Sequence, residues 1–115
     1  MARSHKPIVW GLFAAGGTLA AFLVPVMILF TCFAVPLGLL PADALTYERV
    51  LDLLEHPLAR FGTFGVLFLV IWHAAHRSRI TAHDVGIRAD SVVAIVCYGI
   101  AAAATLLMLL VLPGL

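Results

Sequence analysis

The sequence predicts an all-α membrane protein, with three transmembrane helices running up, down and up and a short amphipathic helix in the first loop. Three observations carry that prediction. The chain of 115 residues is 63% hydrophobic, well above the usual share of a soluble protein. Only 11% of it is charged, and the charges gather before Pro7, between Asp43 and Arg60, and between Arg77 and Asp90. The uncharged runs left between these clusters are each long enough to cross about 30 Å of hydrocarbon as a helix. The length fits a single domain over 1–115, with helices at about 8–39, 58–77 and 91–112.

Composition also excludes several classes. A formal net charge of +1, without a basic stripe, gives no reason to expect nucleic acid. No phosphate-cradling glycine loop and no zinc-type cysteine spacing occurs. Cys32 falls late in the first run and Cys97 early in the third, so an up-and-down bundle sets them at different depths and no disulfide is expected. The lipid bilayer is the expected surroundings.

Residues Met1 to Lys6 read as a short polar tail, and Pro7 suits a helix start because its missing N–H has no partner there. The apolar run from Ile8 to Leu40 far exceeds a signal-peptide core, so it is expected to remain as a spanning helix. Trp10 lies at the interface, either as an aromatic-belt anchor or as a hydrogen-bond donor to a ligand. Ala14-Ala15-Gly16-Gly17 is a face of small residues that admits another backbone or a flat ring. Pro25 deprives the Ala21 carbonyl of its donor, which predicts a kink, and Pro36 marks the helix end.

Between Pro41 and Pro57 the character changes. Asp43 is the expected N-cap of a short helix, with Leu45, Val50, Leu51 and Leu54 on one side and the acids Asp52 and Glu55 elsewhere. Such a helix is expected along the outer membrane surface or on a partner. Pro57 opens the second spanning helix. Arg60 near its start can snorkel to water, Gly62 and Gly65 offer a contact face, and Trp72 approaches the opposite interface. Ser78 to Ala89 reads as a polar loop with room for a turn of helix, Asp90-Ser91 as the next N-cap, and Val92 to Leu112 as the third span, ended by Pro113-Gly114. Tyr98 inside that span needs a hydrogen-bond partner.

Arg3, Lys6, Arg77, Arg79 and Arg88 would share one side and Arg49 and Arg60 the other. The positive-inside rule then sets the N-terminus in the cytoplasm and the C-terminus outside. Trp10 and the stretch Trp72-His73-Ala74-Ala75-His76-Arg77 fall on the same side, and they form the candidate site.

Three chemistries fit these residues. Histidines at a headgroup boundary need no special partner. Haem ligation needs a neutral imidazole aimed at iron, and the deeper His73 is the weak candidate, with any opposing ligand left to a partner protein. Quinone chemistry needs donors about 2.7 to 3.0 Å from carbonyl oxygens, a cation and a group able to move protons. Trp10 and Arg77 can be the donors and His76 the proton relay.

The chain resembles the D subunit of fumarate reductase, the smaller membrane anchor of bacterial quinol:fumarate reductase. The resemblance is carried by Trp10-Gly11-Leu12-Phe13, Gly16-Gly17, Pro25-Val26-Met27-Ile28-Leu29 and Pro36-Leu37-Gly38-Leu39. It continues in Asp43-Ala44-Leu45-Thr46-Tyr47-Glu48-Arg49-Val50-Leu51, Trp72, His76-Arg77 and His83-Asp84, and weakens in the third helix. It implies a non-catalytic subunit in the bacterial cytoplasmic membrane, paired with the larger anchor (the C subunit of fumarate reductase) and joined by the iron–sulfur and flavoprotein subunits. FAD and iron–sulfur clusters would belong to those partners, and menaquinol would bind at the interface between subunits, with no haem. The resemblance assigns Trp10, His76 and Arg77 to the quinol pocket, and leaves the acid that takes the quinol proton to the larger anchor. His73 departs from the better-known enterobacterial pattern, as does Ser78-Arg79-Ile80-Thr81-Ala82. Two other readings accompany it: a haem-containing succinate dehydrogenase anchor, and a small structural or accessory membrane protein without a redox role.

Overall fold

A computed structural model of the chain describes residues 4–115. Met1, Ala2 and Arg3 lie outside the described residues, and with them most of the polar tail and the contribution of Arg3 to the orientation. The described residues contain helices and turns and no strand: α1 (Lys6–Ile28) continued by a π-helical turn (Leu29–Ala34), α2 (Tyr47–Glu55), α3 (Pro57–Asp84) and α4 (Asp90–Val111), closed by a 3₁₀ turn (Leu112–Gly114). Three of these stretches, Lys6–Ala34, Pro57–Asp84 and Asp90–Gly114, are long and apolar enough to cross a membrane. The short helix sits in the first loop, as the hydropathy pattern predicts.

Helix α3 is the central element, with both α1 and α4 packed on it. The molecule measures 53 × 31 × 26 Å, so its long axis follows the helices. Gly16 is where α1 comes closest. A Cβ there would collide with the Leu69 backbone carbonyl and stand 2.8 Å from His73 Cβ. A Cβ on Gly17 would lie 2.6 Å from the His73 ring. At Gly16 and Gly17 the small-residue face of α1 is therefore filled by α3, while Ala14 is exposed, and glycine is required at Gly16 because a side chain there would meet backbone and part the helices. Gly62 and Gly65 differ: a Cβ on either meets nothing within 4 Å, so the contact face expected there touches no other described part of this chain.

The boundaries depart from the sequence expectation in physically readable ways. The first helix stays regular through Pro25, and the irregularity falls one turn later, at Leu29–Ala34 rather than as a break at the proline. Proline removes one donor without ending the helix, and the wider π turn absorbs the mismatch, helped by the Thr31 hydroxyl donating to the Met27 carbonyl at 2.7 Å. The chain then turns at Gly38, φ 73°. Gly38 N–H bonds the Val35 carbonyl and Leu39 N–H the Ala34 carbonyl, which is the Schellman arrangement.

Helix α3 runs seven residues past Arg77, to Asp84 (84 − 77 = 7), through a stretch expected as loop. Ser78 to Asp84 is polar but has no glycine or proline, and leaving a membrane does not end a helix. Gly86, φ 94°, does so, with its N–H on the His83 carbonyl and Ile87 N–H on the Ala82 carbonyl, a second Schellman motif. The caps also differ from expectation. Thr46 precedes α2 and Ala89 precedes α4, while Asp43 pairs with Arg49 at 2.9 Å and Asp90, already inside α4, pairs with Arg79 at 2.6 Å. Both carboxylates meet an arginine in place of backbone N–H groups. Arg60 donates to the Leu54 carbonyl at 3.0 Å and the Pro113 carbonyl at 3.4 Å. It thereby holds the ends of α2 and of the 3₁₀ turn on α3.

Candidate functional site

Helices α1, α3 and α4 enclose a cleft of about 450 Å³ near the His76 end of the molecule. Its wall is mainly apolar, from Val9, Leu12, Phe68 and Leu69, and its polar or aromatic lining comes from Trp10, Phe13, Trp72, His73, His76 and Tyr98. The antiparallel order of the helices produces this meeting: the start of α1, the stretch of α3 from Phe68 to His76 and the third turn of α4 stand at one level.

Each side chain is held by a neighbour on another helix or its own. Phe13 is the hub on α1. Its ring stacks on His73, centroids 4.4 Å apart at 22°, meets His76 edge-on at 4.8 Å and takes the Trp10 indole edge-on at 5.5 Å. His73 Nδ1 lies 2.9 Å from the Phe13 carbonyl oxygen. A carbonyl accepts and never donates, so Nδ1 carries the proton. Across the cleft, His76 Nδ1 and the Tyr98 hydroxyl stand 2.7 Å apart, which answers the need for a partner that Tyr98 has inside an apolar run. The Trp72 indole donates to Thr105 Oγ1 at 3.1 Å, and that hydroxyl donates to the Ala101 carbonyl at 2.8 Å. Trp72 also stacks along Tyr98, centroids 6.1 Å apart. It is a strut between α3 and α4 and more than a belt anchor.

The residues expected from sequence are thus partly brought together. Trp10 and His76 line one cleft, with His73 beside them. Trp10 is 63% exposed, with its ring edge on Phe13 and the remainder open. Arg77 is exposed, is not part of the lining, and forms no ion pair among the described residues. One residue past His76 on a helix, it points about 100° away around the axis. Phe13 and Tyr98 are among the lining residues that sequence reasoning did not place in the site, with the apolar Val9, Leu12, Phe68 and Leu69. The spacing of Trp10 and Phe13, three apart on one helix face, and the lone hydroxyl of Tyr98 were the available signals.

A second cavity of about 370 Å³ lies at the opposite end, lined by Arg60, Phe61, Phe64 and Met108 among others. Among the described residues its one charged side chain is Arg60, already donating to two carbonyls.

Among the described residues no group of three or more histidine, cysteine or acidic side chains converges as a metal site. The first cleft instead has the build of a small-molecule site: concave, aromatic-walled and supplied with a few polar atoms.

Residues 1–112 match the family model for the D subunit of fumarate reductase. The chain is 44% identical over 99 residues to the fumarate reductase D subunit of Photobacterium profundum, covering 86% of this chain and 82% of that one. It is 40% identical over 99 residues to the D subunit of Vibrio campbellii, covering 86% and 79%. It is 38% identical over 101 residues to that of Mycobacterium bovis, again covering 86% and 79%.

Proposed function

The chain belongs to the fumarate reductase D-subunit family, and from that premise we propose that it anchors the catalytic subunits of a quinol:fumarate reductase to the bacterial cytoplasmic membrane and lends Trp10, His76 and Arg77 to a menaquinol site. The observation that carries the proposal is the shared cleft: Trp10 from α1 and His76 from α3, 66 positions apart (76 − 10 = 66), line one aromatic-walled space of about 450 Å³. A flat ring of two fused cycles fits a space of that order, and the surrounding bilayer takes its isoprenoid tail.

The roles follow from donor chemistry. The indole N–H of Trp10 and a ring N–H of His76 are donors for the ligand's oxygens, and a guanidinium beside them favours a reduced, anionic oxygen. Arg77 is exposed and lies outside the cleft lining, so its part in the site requires its long side chain to reach the cleft mouth when the ligand is bound. The chain itself oxidises nothing. Flavin and iron–sulfur clusters reside in the flavoprotein and iron–sulfur subunits, and this one shapes the site where electrons enter.

Orientation is part of the proposal. Lys6, Arg77, Arg79 and Arg88 stand at the His76 end, and Arg49 and Arg60 at the other. The positive-inside rule supports the His76 end, with its quinol cleft, as the cytoplasmic one. The seven residues of α3 beyond Arg77 would then rise from the bilayer toward the soluble subunits.

The site as proposed takes no haem. His73 bonds the Phe13 carbonyl through Nδ1–H, which leaves Nε2 as the nitrogen open to a metal, and that edge of the ring lies against Gly17, so its presence is accounted for by helix packing. The test is donor-specific turnover in membranes containing the assembled complex. Trp10→Leu and Arg77→Leu are each expected to lower quinol-driven fumarate reduction about tenfold or more, the scale of one lost charge-assisted hydrogen bond. Reduction driven by a soluble artificial donor should persist. Unchanged quinol-driven turnover in both variants would defeat the proposal.

A further inference from the structure

We infer that Tyr98 is a positioning residue that fixes the tautomer of His76, so that His76 meets the quinol as a hydrogen-bond donor through Nε2–H and does not take the quinol's proton. This rests on the quinol-site reading above and sharpens it.

The 2.7 Å contact between Tyr98 Oη and His76 Nδ1 admits two arrangements on distance alone. If the phenol donates, Nδ1 offers its lone pair and the neutral ring carries its hydrogen on Nε2. If the imidazole donates, Nε2 is left as an acceptor. The surroundings of Tyr98 choose between them. The Arg79 guanidinium lies over the Tyr98 ring, Cζ 5.8 Å from its centroid, and is held there by two bonds to the Asp90 carboxylate, at 2.9 and 2.6 Å. A cation over the ring draws electron density from the phenol, which makes its oxygen a poorer acceptor and its O–H a better donor toward Nδ1. No donor from Trp72 competes, because its indole N–H is committed to Thr105, while the stacked indole holds the phenol plane.

The neighbouring histidine makes the contrast plain. His73 faces a carbonyl and has its hydrogen on Nδ1; His76 faces a hydroxyl made a better donor by the cation over its ring and, on the inference, has its hydrogen on Nε2. Only the second is a donor through its remaining ring nitrogen. A donor at the ligand's oxygen holds the quinol in place, and the quinol's proton leaves by a group outside this imidazole. The Tyr98 ring is part of the cleft wall, and in this scheme its hydroxyl acts on the ligand through His76.

Four variants of the intact complex in membranes, with rates normalised to flavin content and a soluble short-chain menaquinol as donor, test this. His76→Gln keeps an amide N–H near the position of Nε2 and is expected to retain quinol turnover within about threefold, whereas His76→Leu should raise KM about tenfold. Tyr98→Phe should raise KM about fivefold with kcat within about twofold, since only the competent tautomer binds. Added to His76→Gln, Tyr98→Phe should change nothing further, because an amide has no tautomer to set. Equal loss of kcat in His76→Gln and His76→Leu would show a proton acceptor and overturn the inference while leaving the site intact. A Tyr98→Phe effect of the same size in both backgrounds would show a packing role and overturn it as well. If His76→Leu itself leaves quinol turnover unchanged, the underlying site reading falls with it.

Discussion

An imidazole near the end of a membrane helix has two ring nitrogens to satisfy, and His73 and His76 of α3 each satisfy one of them against a different helix. His73 bonds the Phe13 carbonyl of α1 and stacks on its ring, and His76 bonds the Tyr98 hydroxyl of α4. Removing His73 leaves a packing void against Gly16 and Gly17 and loses both contacts. His73→Ala is expected to cost about 2 kcal/mol, the sum of one hydrogen bond and one aromatic pair, read as a lower Tm of the purified complex. A haem absorption band present in the complex and lost in that variant would contradict the packing role. At this scale the residue types were legible and their partners were not. Trp72 announces a polar atom near an interface, but that it meets Thr105, 33 positions on, depends on how α3 and α4 are rotated against each other. A helical wheel gives faces, not the neighbour each face meets.

Among the elements, the α1–α3 contact is the one that sets the width of the cleft. Gly16 lies against backbone, which has no rotamer to yield, so Gly16→Ala is expected to destabilise the complex by about 1–3 kcal/mol, whereas Gly11→Ala, where a Cβ meets nothing within 4 Å, should be neutral or slightly stabilising. The yield of assembled complex extracted from membranes, compared between the two variants, checks this, and equal yields would contradict it. Helix count, order and the amphipathic α2 were legible because hydropathy reports burial in lipid directly. The end of α3 was not, because polarity marks the edge of the bilayer and glycine marks the edge of the helix, and here the two are about two turns apart. Gly86→Ala should strain the left-handed turn by about 1 kcal/mol and loosen the α3–α4 loop, measured as faster amide exchange at Ile87 and Arg88. The Arg79–Asp90 pair, which crosses the same loop, is partly exposed at its arginine and is worth little on its own.

For the whole molecule, the most telling quantity is how little is buried. Among the described residues only Ala75, Ala101 and Leu112 are buried hydrophobics, while large side chains such as Phe22, Phe61 and Ile95 are more than 70% exposed. A bundle built this way relies on lipid and on other subunits for the rest of its contacts, with Gly62 and Gly65 as one unfilled close-approach face. Isolation under mild detergent should bring flavin and iron–sulfur signals down with this chain. Three helices and one end rich in basic residues were readable from the sequence, and so was the depth shared by Trp10 and His76. That Phe13 and Tyr98 complete the wall was not, since both depend on the packing of three helices at once. The central claim is that the cleft between α1, α3 and α4 holds the quinol, and photolabelling of the intact complex with an azido-substituted menaquinone, followed by peptide mapping, tests it most directly. Label in this chain on the segments from Val9 to Phe13 or Phe68 to Arg77 is the predicted result. Label confined to the segments around Phe61 and Met108, or absent from this chain while present on its partners, would contradict it.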